Sequence, residues 1–122
     1  MASKDNQNID KEKALAYYQN LYIIAVADSH LALEESQFLV QVSQHFGISS
    51  REAIAIMSNI KKLDFIIPED EAERKEHFQG LVKMMTIDKK IHDKEYQLCL
   101  AYAQKIGFSQ ATLDDILSKE GV

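Results

Sequence analysis

An all-α fold is predicted by three features of this 122-residue chain. Apolar residues recur three and four apart over long stretches, the spacing that lines one face of an α-helix. Pro68 is the only proline, and glycine occurs only at 47, 80, 107 and 121, too little punctuation for a fold of many strands and turns. Residues 18–57 align without a gap on residues 78–117, so one helical pattern is written twice. The expected architecture is a compact bundle of about six to seven helices, built from two repeats related by a near two-fold axis.

The elements follow in order. Residues 1–9 are polar and are expected to form a disordered tail, with the helical domain over 10–122. The first helix is expected from about Asp10 to Ala27, capped by Asn8 or Asp10, with Ala14, Tyr18, Leu21 and Ala25 in one stripe. Tyr17, Ile24 and Val26 widen that stripe, which predicts a central helix. The second helix spans Leu33 to Phe46, with Phe38, Leu39, Val42 and Phe46 inward, and Gly47 ends it. Ser49 opens the third helix. Its spacing to Glu52 is that of a capping box, and Ala53, Ile56, Met57 and Ile60 are expected to face the core.

Lys61 to Ile67 reads as a connection, and Pro68 suits the first turn of a fourth helix. The acidic run Glu69, Asp70 and Glu71 then sits at that helix's positive end and needs no further explanation. Phe78, Leu81, Val82 and Met85 continue it. A fifth helix runs from about Asp93 to Ile106 with Leu98, Tyr102 and Ile106 inward. Gly107 stops it, and Ser109 begins a last helix carrying Leu113, Ile116 and Leu117.

Composition bounds the function classes. A domain of this size buries roughly two-thirds of its unfolded surface, so it needs no disulfide or metal to have a core. The net charge of −5 disfavours nucleic acid and anionic lipid as partners. The cluster of Lys83, Lys89, Lys90 and Lys94 is interleaved with Asp88 and Asp93 and reads as a solvated rim. The single cysteine, Cys99, lies in an apolar helical run and reads as a buried, inert thiol. The polar first thirteen residues do not form a secretory signal, and no apolar run approaches the ~20 residues that span a bilayer. A cytoplasmic protein with no direct membrane insertion is expected. Phosphate loops, dinucleotide fingerprints, zinc-protease spacings and nucleophile elbows are all missing from the sequence, so no enzyme is expected.

Each repeat contains Asp, then Glu seven positions later: Asp28 with Glu35, and Asp88 with Glu95. The Asp ends one helix and the Glu falls in the first turn of the next, where the helix dipole favours a carboxylate by typically 0.3–1 kcal/mol. One reading is that each pair organises its loop. The other is a divalent cation site of metal ligands Asp28, Glu35, Asp88 and Glu95, with calcium as the hard cation that suits such oxygens. These loops are not EF-hands, whose bidentate Glu would fall on Leu39 and Cys99. His30 and His92 lie in the same two loops and read as exposed loop histidines.

The segments Ile24-Ala25-Val26-Ala27-Asp28-Ser29-His30-Leu31-Ala32-Leu33-Glu34-Glu35 and Phe46-Gly47-Ile48-Ser49 resemble the TerB-like domain of tellurite-resistance proteins. That family repeats an acidic loop and a glycine helix break twice in an all-helical fold, and the resemblance covers about Tyr18 to Leu117. It implies a bacterial stress and tellurite-resistance setting, metal binding through Asp28, Glu35, Asp88 and Glu95, and use as a module in larger chains. The chain departs from the family pattern after each Asp, where the usual glycine is Ser29 or Lys89. It departs again before each Glu, where the small polar cap is Ala32 or His92. Lys89 and Lys90 also place positive charge beside Asp88, which opposes a cation there.

Two functions follow as expectations. The first is a non-enzymatic, stress-associated domain that binds a divalent cation at the repeated loops. The second is a protein-interaction module in which the acidic pairs are braces. That second reading requires an exposed apolar or tyrosine-bearing groove, with Tyr17, Tyr22 and Tyr96 as candidates and an unknown protein as partner.

Overall fold

The computed structural model describes residues 3–27 and 31–121, and for 3–10 the backbone alone. Six α-helices follow one another: α1 Ser3–Ala25, α2 Leu33–His45, α3 Ser50–Ser58, α4 Glu71–Thr86, α5 Asp93–Lys105 and α6 Gln110–Lys119. A short 3-10 turn, Ile60–Lys62, follows α3, and no strand occurs among the described residues. The fold is the all-helical bundle that the periodicity predicts.

Helix α1 is the hub and touches α2, α3, α4 and α5. Its Leu21, Ile24 and Ala25 are wholly buried, and they share one core with Leu81, Met84 and Met85 of α4 and Cys99, Tyr102 and Ala103 of α5. Phe78 lies parallel to Tyr102 at 6.4 Å and edge-on to Phe108 at 5.2 Å, offset geometries that suit ring quadrupoles. Burial pushes the Cys99 thiol up to about 12, which makes it the inert core residue expected.

The helix breaks repeat in detail. Gly47 and Gly107 take φ of 67° and 91°, a region that L side chains enter only with strain. The next residue then donates back into the helix, Ile48 N–H to Ser43 and Phe108 N–H to Ala103, both at 2.8 Å. These are Schellman closures. Ser49 and Ser109 open the following helices by accepting from Glu52 N–H at 3.1 Å and Thr112 N–H at 3.2 Å. Glu52 also accepts from Ser49 N–H and pairs with Lys11 at 3.0 Å. The backbone bond from Ser49, first, and Lys11 hold its carboxyl below the usual range.

Several expectations need correction. Helix α1 is continuous from Ser3, so it runs through Asn8 and Asp10, and neither marks its start. Helix α4 starts at Glu71 behind Asp70, whose Oδ2 accepts Glu73 N–H at 3.0 Å. A side-chain cap fixes a helix start more firmly than a proline does, and Pro68 stays in the connection, its carbonyl held by Arg74 Nε at 2.8 Å. The buried face of α5 is Glu95, Cys99, Tyr102 and Ala103, with Leu98 and Ile106 only half-buried. Phe46 and Met57, expected inward, are 38% and 36% exposed, and α3 has no buried residue at all. Lys83 is more than a rim charge, because its Nζ lies 5.0 Å from the Phe38 ring centroid.

Candidate functional site

The structure places three of the four acidic candidates. Asp28, with His30, lies outside the described residues. Glu35 and Glu95 each occupy the third position of their helix, α2 and α5, and are 1% and 0% exposed. Glu35 Oε1 accepts the Ala32 N–H at 2.9 Å. Alanine has no side-chain acceptor with which to return that bond, so only half of a capping box exists here. Buried carboxylates at a helix's third position lie against its positive end, which is where the protein can best tolerate them.

Asp88 sits in the loop after α4. Its Oδ1 accepts the Lys90 N–H at 3.0 Å, and its Oδ2 lies 3.2 Å from His92 Nε2. Between them, Lys89 has φ +63°, the one non-glycine residue described in that region. The turn therefore demands the conformation that glycine favours.

A cavity of about 330 Å³ lies between the two loop regions, with Ala32, Leu33 and Glu34 on one side and Asp88, Lys90 and His92 on the other. It joins Asp88 to Glu34 and His92. Glu35 and Glu95 do not line it. Among the described residues no three His, Cys, Asp or Glu side chains are grouped so as to hold a metal ion. The donor types suit a hard cation, while Lys90 at the same cavity opposes one.

A second feature lies on the amino half. A groove of about 230 Å³ runs between α2 and α3, with Tyr18, Tyr22 and Leu39 as its floor and Leu31, Val40 and Met57 at its edges. Val40 is 50% exposed, and Leu33 and Ile54 nearby in sequence are 68% and 55% exposed. The aligned positions of the carboxyl half carry larger residues. Ser36 corresponds to Tyr96, and Ala53 corresponds to Leu113, which is fully buried. Tyr96 Oη donates to Asp114 at 2.6 Å and accepts from Gln110 at 3.1 Å, which latches α5 to α6. The amino half has Ile54 and Ser50 at those positions and no such latch among the described residues. Of the three candidate tyrosines, only Tyr22 lines this groove.

A third feature was missed in the sequence. Asn20 and His77 form a polar node inside the core, 0% and 4% exposed. Asn20 Oδ1 accepts Ile66 N–H at 2.8 Å, and Asn20 Nδ2 donates to Ile66 O at 2.8 Å. Those two bonds fix the amide orientation, so the contact to His77 Nδ1 at 2.9 Å is a second Nδ2–H donation. His77 Nδ1 must therefore accept, and the ring is neutral with its proton on Nε2. Burial pushes its pKa below the ordinary value, against the weaker opposing charge of Glu73. The available signal was an asparagine inside the apolar stripe of α1, beside Leu21 and four residues before Ile24.

No described helix is long and apolar enough to cross a membrane. Comparison of the chain with protein-family models, with curated proteins and with solved structures finds no match.

Proposed function

We propose that the chain is a non-enzymatic binding module whose α2–α3 groove holds an amphipathic helix of a partner protein, while the acidic loops brace the bundle. One observation carries this reading. The amino half carries small residues, Ser36 and Ala53, at the positions that align in sequence with Tyr96 and Leu113 of the carboxyl half. A groove of about 230 Å³ is small beside the ~300–1,000 Å³ typical of small-molecule pockets. It suits one or two large side chains presented at helical spacing by a partner. The chain carries −5 and exposes Glu34 at the start of α2, so basic flanks on the partner are favoured. The stress-associated setting implied by the TerB-like resemblance, and the cytoplasmic setting expected from the composition, fit an adaptor of this kind. The matched glycine stops and serine caps support a near two-fold relation between the halves.

The test is an amide NMR titration with a basic amphipathic helical peptide that carries leucine or phenylalanine at i, i+4 and i+7. Shifts should concentrate at Tyr22, Val40, Ser43, Ala53 and Met57, and a peptide with acidic flanks should bind at least about tenfold more weakly. Shifts centred elsewhere, or equal binding of both peptides, would overturn this reading.

A second reading is a divalent cation held by Asp28, Glu35, Asp88 and Glu95, with calcium the best match to their oxygens. It is favoured by the two buried glutamates at the same helical position and by Asp88 facing the 32–34 segment across a shared cavity. It predicts a rise in melting temperature with calcium, magnesium, manganese or zinc that disappears in Asp28→Asn/Asp88→Asn. No shift with any of these ions removes it.

A further inference from the structure

A separate cavity of about 240 Å³ lies between α1 and α4, lined by Lys13, Tyr17, Phe46, Glu73, Glu76 and His77. Three rings form its walls. Tyr17 stands edge-on to Phe46, with centroids 5.9 Å apart at 75°, and tilts 56° from His77 at 5.2 Å. Aromatic rings that line one space offer electron-rich surface against which a cation can be held.

The box depends on Gly80. A Cβ there would lie 2.3 Å from Tyr17 Oη and 2.6 Å from Cε1, so the bare α4 backbone is what lets the Tyr17 ring lie against it. The charges point the same way. Carboxylates outnumber cations at the cavity, because Lys13 is matched to Glu73 at 2.9 Å. No cation answers Glu76 among the described residues. Burial first, and then the Glu76 charge, push the Tyr17 phenol above its ordinary range. His77 adds a donor: its Nδ1 accepts from Asn20, so the ring proton is on Nε2, and the residue lines the cavity.

We propose that this cavity binds a small organic ammonium that also carries an oxygen acceptor, of the choline or ethanolamine kind. The ammonium lies against Tyr17 and Phe46 with Glu76 as counter-charge, and the oxygen accepts the His77 proton. The same group occurs free and as a lipid headgroup, and both sources present the same chemistry.

The test is calorimetric titration of the whole chain with choline and with 3,3-dimethylbutan-1-ol, which keeps its shape and hydroxyl but lacks the charge. Choline should bind saturably, with an affinity on the order of millimolar or tighter, and the neutral alcohol at least about tenfold more weakly. Glu76→Gln, an exposed position, should lower choline affinity at least about fivefold with an unchanged melting temperature, and Tyr17→Leu should lower the affinity as much while also losing the packing of that ring. Glu71→Gln, on the same helix but away from the cavity, should leave it intact. Retention by phosphatidylcholine vesicles, lost in Glu76→Gln, would assign the headgroup as the source, and choline binding without retention would assign the free compound. No saturable choline binding, equal binding of the neutral alcohol, or an affinity unchanged in Glu76→Gln would overturn the proposal.

Discussion

Asn20 Nδ2 donates to His77 Nδ1 over 2.9 Å between α1 and α4, and neither side chain is more than 4% exposed. The same asparagine holds both polar groups of Ile66, so one side chain fastens the 63–68 connection to two helices. Asn20→Ala removes all three bonds and leaves buried groups without partners. A loss of about 2–3 kcal/mol is expected in urea unfolding.

The His77 ring also sets a pH dependence. Its folded-state pKa lies below the ordinary 6.5 because burial disfavours the charged ring. The unfolded chain therefore takes up a proton first as the pH falls. The stability that His77 contributes is complete above pH 6.5 and is lost as the pH drops from there through the lower folded value. Urea midpoints between pH 8 and pH 5 should decline, and in His77→Gln they should decline less. An equal decline in both proteins would assign the slope to other groups.

Gly80→Ala is expected to destabilise although alanine is the better helix former by about 1 kcal/mol. The added methyl meets the Tyr17 ring, which packs on Phe46 and His77, and displacing it costs about 1–3 kcal/mol. In Tyr17→Leu the same Gly80→Ala change should be neutral to stabilising, by up to about 1 kcal/mol. A double-mutant cycle in thermal unfolding reads that coupling directly.

Lys89→Gly should stabilise by about 0.5–1 kcal/mol, because φ +63° strains any side chain at this point of the Asp88 turn. Lys89→Ala should change little, since it keeps the strain. If alanine and glycine stabilise equally, the lysine charge rather than the backbone is responsible.

The fold was legible in the sequence because its signals are local. Gly47 and Gly107 end helices by their own backbone freedom, and Ser49 and Ser109 start them by reaching three residues ahead. What stayed hidden depends on contacts between distant parts of the chain. Glu95 reads in the sequence as a first-turn carboxylate that braces its loop or ligates a cation, yet it completes the buried face of α5, since helical periodicity does not reveal where a carboxylate can be accommodated. Met57 and Phe46 carry the right spacing for burial, but each keeps more than a third of its surface exposed. Among the acidic candidates, sequence spacing located the two loops. It did not reveal that Asp88 shares its cavity with Glu34 and His92 rather than with Glu35 or Glu95.

The most direct measurement is the affinity of the basic amphipathic peptide for the chain before and after its groove is filled as the carboxyl half is, by Ser36→Tyr with Ala53→Leu. Binding should fall at least about thirtyfold, with a melting temperature no lower than that of the parent, because the new side chains occupy space that is already open. A filled variant that folds normally and still binds the peptide with parental affinity would contradict the assignment of this groove as the binding surface.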